Sequence, residues 1–109
     1  MVLDNNQPLS KPGGFGILED VPNIEFARND MAIKSNWKMD CGKVATYKVK
    51  QGIKLNVPSG PIGAQIDLKA DKYLPGNNSV TQLDLFNRIG NIDRNNYIEY
   101  VPDSLRKLD

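Results

Sequence analysis

Apolar and polar residues alternate through the middle of the chain, and that period of two predicts strands. Lys43 to Lys50 reads K-V-A-T-Y-K-V-K, which sets Ala45, Tyr47 and Val49 on one face. Ile53, Leu55 and Val57 alternate with Lys54 and Asn56, predicting a second strand, and Gln51-Gly52 between the runs predicts a tight turn or bulge. Pro58-Ser59-Gly60-Pro61 predicts a sharp break, and Ile62 to Ile66 a further short strand. Leu74-Pro75-Gly76-Asn77-Asn78 has the composition of a turn. Beyond it Thr81, Leu83 and Leu85 alternate with Gln82, Asp84 and Phe86, so as a strand the two sets face opposite ways. Between Asp84 and Arg94 the spacing of Leu85, Phe86 and Ile89 is helical, but Gly90 limits it to one short helix or turn. Tyr97 to Val101 predicts a last strand, ended by Pro102.

The first thirty residues are punctuated by Pro8, Pro12, Gly13, Gly14, Gly16 and Pro22, too densely for a long helix or strand. Asparagine occurs twelve times, which fits many turns and little helix. The expected architecture is α+β, mostly β: a small twisted antiparallel sheet or half-barrel with long loops and one or two short helices. Residues 1–109 make a single domain, loop-rich over 1–30 and with a β core over 43–101.

Composition narrows the chemistry. Basic and acidic residues number 14 and 13, a net charge of +1, so electrostatics do not demand nucleic acid as a partner. No apolar run approaches the roughly 20 residues of a membrane-spanning helix, and no membrane insertion is expected. No apolar N-terminal stretch with a basic start reads as a secretory signal, which suits equally a domain from the end of a larger secreted chain and a cytosolic protein. Histidine is absent, which removes the Ser-His-Asp triad, the Cys-His dyad and every histidine-bearing zinc site. The single cysteine, Cys41, cannot form an internal disulfide and reads as a small buried apolar residue.

The candidate chemistry is therefore carried by amides, carboxylates, hydroxyls and cations. Gly13, Gly14 and Gly16 offer backbone N–H groups to a phosphate, Phe15 a ring surface, Arg28 a guanidinium and Gln82 a carboxamide. Each has a plainer reading: a core plug for Phe15, a surface cation for Arg28, a surface amide for Gln82. The six lysines between Lys34 and Lys54 read as a solvated strand face, Trp37 and Tyr47 as core aromatics, and the Asp67/Asp71 pair as a chance spacing rather than a metal site.

Three stretches resemble the tuberculosis-necrotizing-toxin domain family of NAD glycohydrolases. Tyr47-Lys48-Val49-Lys50 through Gly60-Pro61-Ile62 is similar to its Y-x-V-x-K-x-x-x-V-x-x-G-x-I-A-P segment. Leu74-Pro75-Gly76-Asn77-Asn78-Ser79-Val80-Thr81-Gln82 is similar to its Q-P-G-G-G-T-Q element. Gly13-Gly14-Phe15-Gly16-Ile17, with Val21-Pro22 and Arg28, resembles its aromatic loop and downstream arginine. The family's L-D-R-x-G motif has only Leu3-Asp4-Asn5 as its nearest text here, leaving Lys11, Lys34 and Arg94 as cations that could take the arginine's place. The tryptophan that follows I-A-P in the family is replaced by Ala64-Gln65-Ile66-Asp67-Leu68.

The resemblance implies a toxin effector domain that hydrolyses NAD to nicotinamide and ADP-ribose. It makes Gln82 catalytic, with Phe15, Gly13, Gly14 and Arg28 binding substrate. NAD is then the substrate, and no cofactor or metal is needed. It further implies secretion as the C-terminal part of a larger toxin, action in the target-cell cytoplasm, and a cognate immunity protein covering the loops around Phe15 and Gln82. The chemistry suits a site without imidazole, because nicotinamide leaves NAD as a neutral base and needs no proton from the protein. The alternatives are a metal-independent ribonuclease toxin domain, with nucleic acid as partner, and a non-catalytic β-rich module that binds another protein.

Overall fold

A computed structural model of the chain describes residues 1–86, 89–90 and 93–109. Its strands are β1 (Val2–Leu3), β2 (Phe15–Ile17), β3 (Lys43–Val44), β4 (Tyr47–Val49), β5 (Ser59–Ile62), β6 (Gln65–Asp67), β7 (Lys72–Leu74), β8 (Asn77–Asp84), β9 (Ile98–Tyr100) and β10 (Arg106–Lys107). Among the described residues, one helix, α1 (Ile24–Asn29), and a single 3-10 turn (Arg94–Asn96) accompany them. The strands form four small antiparallel sheets, in the orders β1-β3-β10, β2-β8-β5, β4-β9 and β6-β7. The mostly-β α+β class expected from the pattern is the class observed.

Helix α1 lies within the stretch read as loop-like. Six residues are too few to show a helical period, but its start is specified: the Asn23 side chain accepts the Phe26 N–H at 2.8 Å, and Glu25 sits in the positive first turn. Its inward residue, Ala27, is fully buried beside Val21, Met31, Ile62, Leu74 and Val80 in the main core. A second, smaller cluster gathers Leu85, Ile89 and Ile98 with the partly buried Tyr47, Leu55, Val57 and Tyr97.

Several predicted strands are redrawn by pairing. The run 43–50 divides in two because it changes partners. Ala45 N–H donates to Met1 O, extending the ladder to β1, whereas Thr46 O accepts from Val101 N–H, starting the ladder to β9. Residues 53–57 alternate correctly but have no strand beside them among the described residues, so Leu55 and Val57 reach the small cluster from an irregular segment. Conversely, Ser59-Gly60-Pro61, from the Pro58–Pro61 stretch expected to break the chain, belongs to strand β5. It forms the edge of its sheet, where Pro61 lacks an N–H without costing a ladder bond. The expected 62–66 strand is interrupted at Gly63-Ala64, where the chain passes from β5 to β6.

The turns behave as their residues dictate. Ile53 N–H donates to Lys50 O, with Gly52 at φ +81°, the left-handed third position of a type II turn. Gly76, at φ +73°, links β7 to β8 where a Cβ would stand 2.5 Å from Ile62 O. Part of the expected 84–94 helix or turn lies outside the described residues. Within them, Ile89 N–H donates to Leu85 O at 2.8 Å. Trp37, expected in the core, is 51% exposed: it closes a turn onto Lys34 O, and the Lys34 ammonium stands 4.9 Å from its ring centroid.

Candidate functional site

The longest strand, β8, runs between β2 and β5 and brings the candidate residues together. Gln82 lies opposite Ile17 of β2 on one side and Gly60 of β5 on the other, while Asp84 lies opposite Phe15. Residues directly opposed in an antiparallel pair project to the same face, and alternate residues of a strand share one. Phe15, Ile17, Gln82 and Asp84 therefore share a face, about 7 Å separating Gln82 from Asp84 along the strand. At its inner end Val80 enters the main core. At its outer end the Phe15 ring stacks on Phe86, with centroids 6.0 Å apart and planes within 12°.

This stack is open to solvent. Phe15 is 42% and Phe86 62% exposed, so Phe15 is not the core plug its setting suggested. Gln82 is half-buried, and among the described residues its carboxamide makes no hydrogen bond. Among the described residues a Cβ at Gly60 would meet nothing within 4 Å, which leaves the strand flank beside Gln82 open there. The face thus runs from an apolar floor through a carboxamide and a carboxylate to a pair of aromatic rings. Such a strip can hold a flat ring against the aromatics while polar groups meet whatever is attached to it.

The glycine loop abuts the same place. Gly14 O accepts the N–H groups of both Leu85 and Phe86. A Cβ on Gly14 would come within 2.7 Å of Phe86 Cβ and 3.3 Å of an Arg94 guanidinium nitrogen. Arg94 is buried and donates to Pro12 O at 3.1 Å. Of the cations named for the missing arginine's place, Arg94 reaches the loop, whereas Lys34 stands over Trp37.

Arg28 is engaged elsewhere. Its guanidinium donates to Ile33 O at 3.2 Å and Met39 O at 2.9 Å, tying α1 to the 31–41 loop. Asp67 is likewise consumed by structure. Its carboxylate accepts from Ser35 N–H (2.7 Å), Ser35 Oγ–H (2.9 Å) and Ala70 N–H (3.0 Å). These donors, Ser35 N–H foremost, hold it below the usual aspartate range. Among the described residues no cluster of three potential metal ligands exists.

Asp84 and Phe86 were not singled out as site residues from sequence, and Arg94 was named only as one of three cations that could take the missing arginine's place. For Asp84 and Phe86 the cue was present: they follow Gln82 at spacings of two and four on a strand that reads as alternating. Arg94 had no such cue, because only folding brings residue 94 to residue 12.

A second exposed surface lies on the β6–β7 hairpin. Ile66 and Tyr73 face each other across it at 61% and 67% exposure, next to Leu68, at a shallow hollow that Lys34 also lines. Comparison with known protein families, with characterised proteins and with solved structures finds no match to this chain.

Proposed function

We propose that the domain hydrolyses the N-glycosidic bond of NAD, releasing nicotinamide and ADP-ribose. The observation that carries this reading is the common face of Phe15 and Gln82, with the Phe15–Phe86 stack at its open end. In the proposed reaction the nicotinamide ring lies against the Phe15–Phe86 pair. Gln82 hydrogen-bonds a ribose hydroxyl or the attacking water. The transition state is an oxocarbenium-like ribosyl cation. Positioning supplies much of the rate where the leaving group already carries its positive charge. As a toxin domain, the chain would be secreted at the end of a larger protein, act in a target-cell cytoplasm, and meet a cognate immunity protein over the Phe15–Gln82 face.

The test is incubation of the purified domain with NAD, following nicotinamide by chromatography. Gln82→Ala should lower the rate about 100-fold, the usual weight of one preorganised transition-state donor, with an unchanged circular dichroism spectrum. No nicotinamide release by the unaltered domain, with tRNA and rRNA also left intact, would end both enzymatic readings. The non-catalytic alternative, a protein-binding module, is favoured by the exposed Ile66–Tyr73 pair. It would gain from a stable complex that Ile66→Ser abolishes and Gln82→Ala leaves intact.

A further inference from the structure

Singly exposed apolar side chains are ordinary on a protein surface, but four large ones gather around Lys34 and the β6–β7 hairpin. Ile66 and Tyr73 oppose each other on the hairpin's outer face, and Leu68 stands in its turn at 86% exposure. Trp37 is exposed on the neighbouring 34–37 turn. Lys34 joins the two elements: its ammonium lies over the Trp37 ring, and it lines the hollow formed with Ile66, Leu68 and Tyr73. The arrangement is held from beneath. The inward-facing Asp67 carboxylate accepts Ser35 N–H and Ser35 Oγ–H from one turn and Ala70 N–H from the other, which fixes both turns to a single buried group. Side chains positioned in advance lose little freedom when a partner covers them.

The charge at this surface is one-sided. Lys34 and Lys69 line the hollow and its margin, whereas among the described residues no Asp or Glu lines either. Neither lysine lies within salt-bridge distance of a carboxylate of those residues. We infer that this surface docks an acidic protein partner, one that presents an apolar side chain to Ile66, Leu68 and Tyr73 and a carboxylate to Lys34. Lys34 is half-buried between the Trp37 ring and the hairpin, so the cation lies inside the apolar area rather than around it. That placement calls for one carboxylate at a fixed distance from an apolar anchor, which a folded protein surface supplies and a fluid lipid surface does not. A second copy of this chain is disfavoured by the same charge, because a two-fold contact sets the patch against itself, lysine against lysine. Trp and Tyr give large contact area with few torsions to freeze, and they are enriched among the residues that dominate protein interfaces. The inference deepens the protein-binding reading of the hairpin and is compatible with the glycosidic one, since none of these residues lies on β2 or β8.

Trp37 is the sole tryptophan, so its emission reports on this surface directly. A library of random peptides displayed on phage is selected against the full chain, and synthetic copies of the selected peptides are titrated while Trp37 emission is followed. The selected sequences should pair Asp or Glu with Leu, Ile or an aromatic residue, move Trp37 emission to shorter wavelength, and bind more weakly as salt rises. Lys34→Glu and Ile66→Ser should each weaken binding at least about tenfold, the scale of a side chain that matters at an interface, with unchanged circular dichroism spectra. Should either variant fail to fold, Leu68→Ser, at the most exposed position, takes its place with the same expected loss. Selected peptides without acidic enrichment, or binding equal in Lys34→Glu and the unaltered chain, overturn the inference. Tighter binding to phosphatidylserine vesicles than to any selected peptide overturns it in favour of a membrane, and self-association in sedimentation that Ile66→Ser abolishes overturns it in favour of a second copy. Nicotinamide release is measured on the same chains. Its absence from a chain that still binds the acidic peptides refutes the glycosidic reading and leaves the docking surface standing.

Discussion

At the scale of single residues, the carboxylates divide into structural and exposed ones. Asp4 accepts three hydrogen bonds from the backbone of residues 39–41, and Asp67 accepts two from Ser35 and one from Ala70 in the turn that follows it. At Asp4 burial opposes ionisation, but the three backbone donors outweigh it and its carboxyl stays below the usual value of 3.8. Folded-state values below the unfolded one mean that these groups stabilise the fold above about pH 4. That contribution is lost as pH falls through the folded values. Melting temperature should therefore drop on acidification below pH 4, and Asp67→Asn should flatten the drop when melting is followed against pH. Asp4→Ala should lower stability by roughly 2–3 kcal/mol in urea titration, because it strands backbone N–H groups that had a charged acceptor. Cys41 is the opposite case. Burial pushes its thiol up to about 11, and its side chain is inaccessible. The folded chain should resist thiol reagents at neutral pH, so labelling of Cys41 should track global unfolding rather than a surface rate.

At the scale of elements, β8 organises the candidate site and Gly76 sets its start. A side chain at Gly76 would require a left-handed backbone and would collide with Ile62 O and Gly63. Gly76→Ala should cost roughly 1–3 kcal/mol for the backbone conformation alone, and more with the collision, measurable as a lowered midpoint in urea. The alternation that marks β8 was legible in the sequence, as was the turn before it. The division of 43–50 was not, since the residues alternate without interruption and only the change of partner from β1 to β9 separates β3 from β4. Strand β5 was missed for a related reason. Its prolines exclude a central strand, and whether a segment is central or at an edge depends on its neighbours.

At the scale of the whole molecule, two clusters share the burial. Val80 belongs to the main one and Leu85 to the smaller, so β8 and the segment after it span both. The candidate site lies on that bridge, between the residues that anchor each end. Leu85→Ala should destabilise the fold by roughly 2–5 kcal/mol and, in chains that remain folded, loosen the Phe15–Phe86 stack it adjoins. Aromatic ring-current shifts of Phe15 and Phe86 would report that loosening.

Sequence alone determined the mostly-β class, the alternating faces of β8, the turns at Gly52 and Gly76, the burial of Cys41 and the absence of imidazole chemistry. These follow from composition and from periods of a few residues, which the local chain sets by itself. Tertiary structure decided that Phe15 lies opposite Asp84, that Arg94 closes on Pro12, that Arg28 serves two loop carbonyls, and that Asp67 holds Ser35. Each joins elements by register or by burial, and no local pattern encodes which strand or loop a segment will meet.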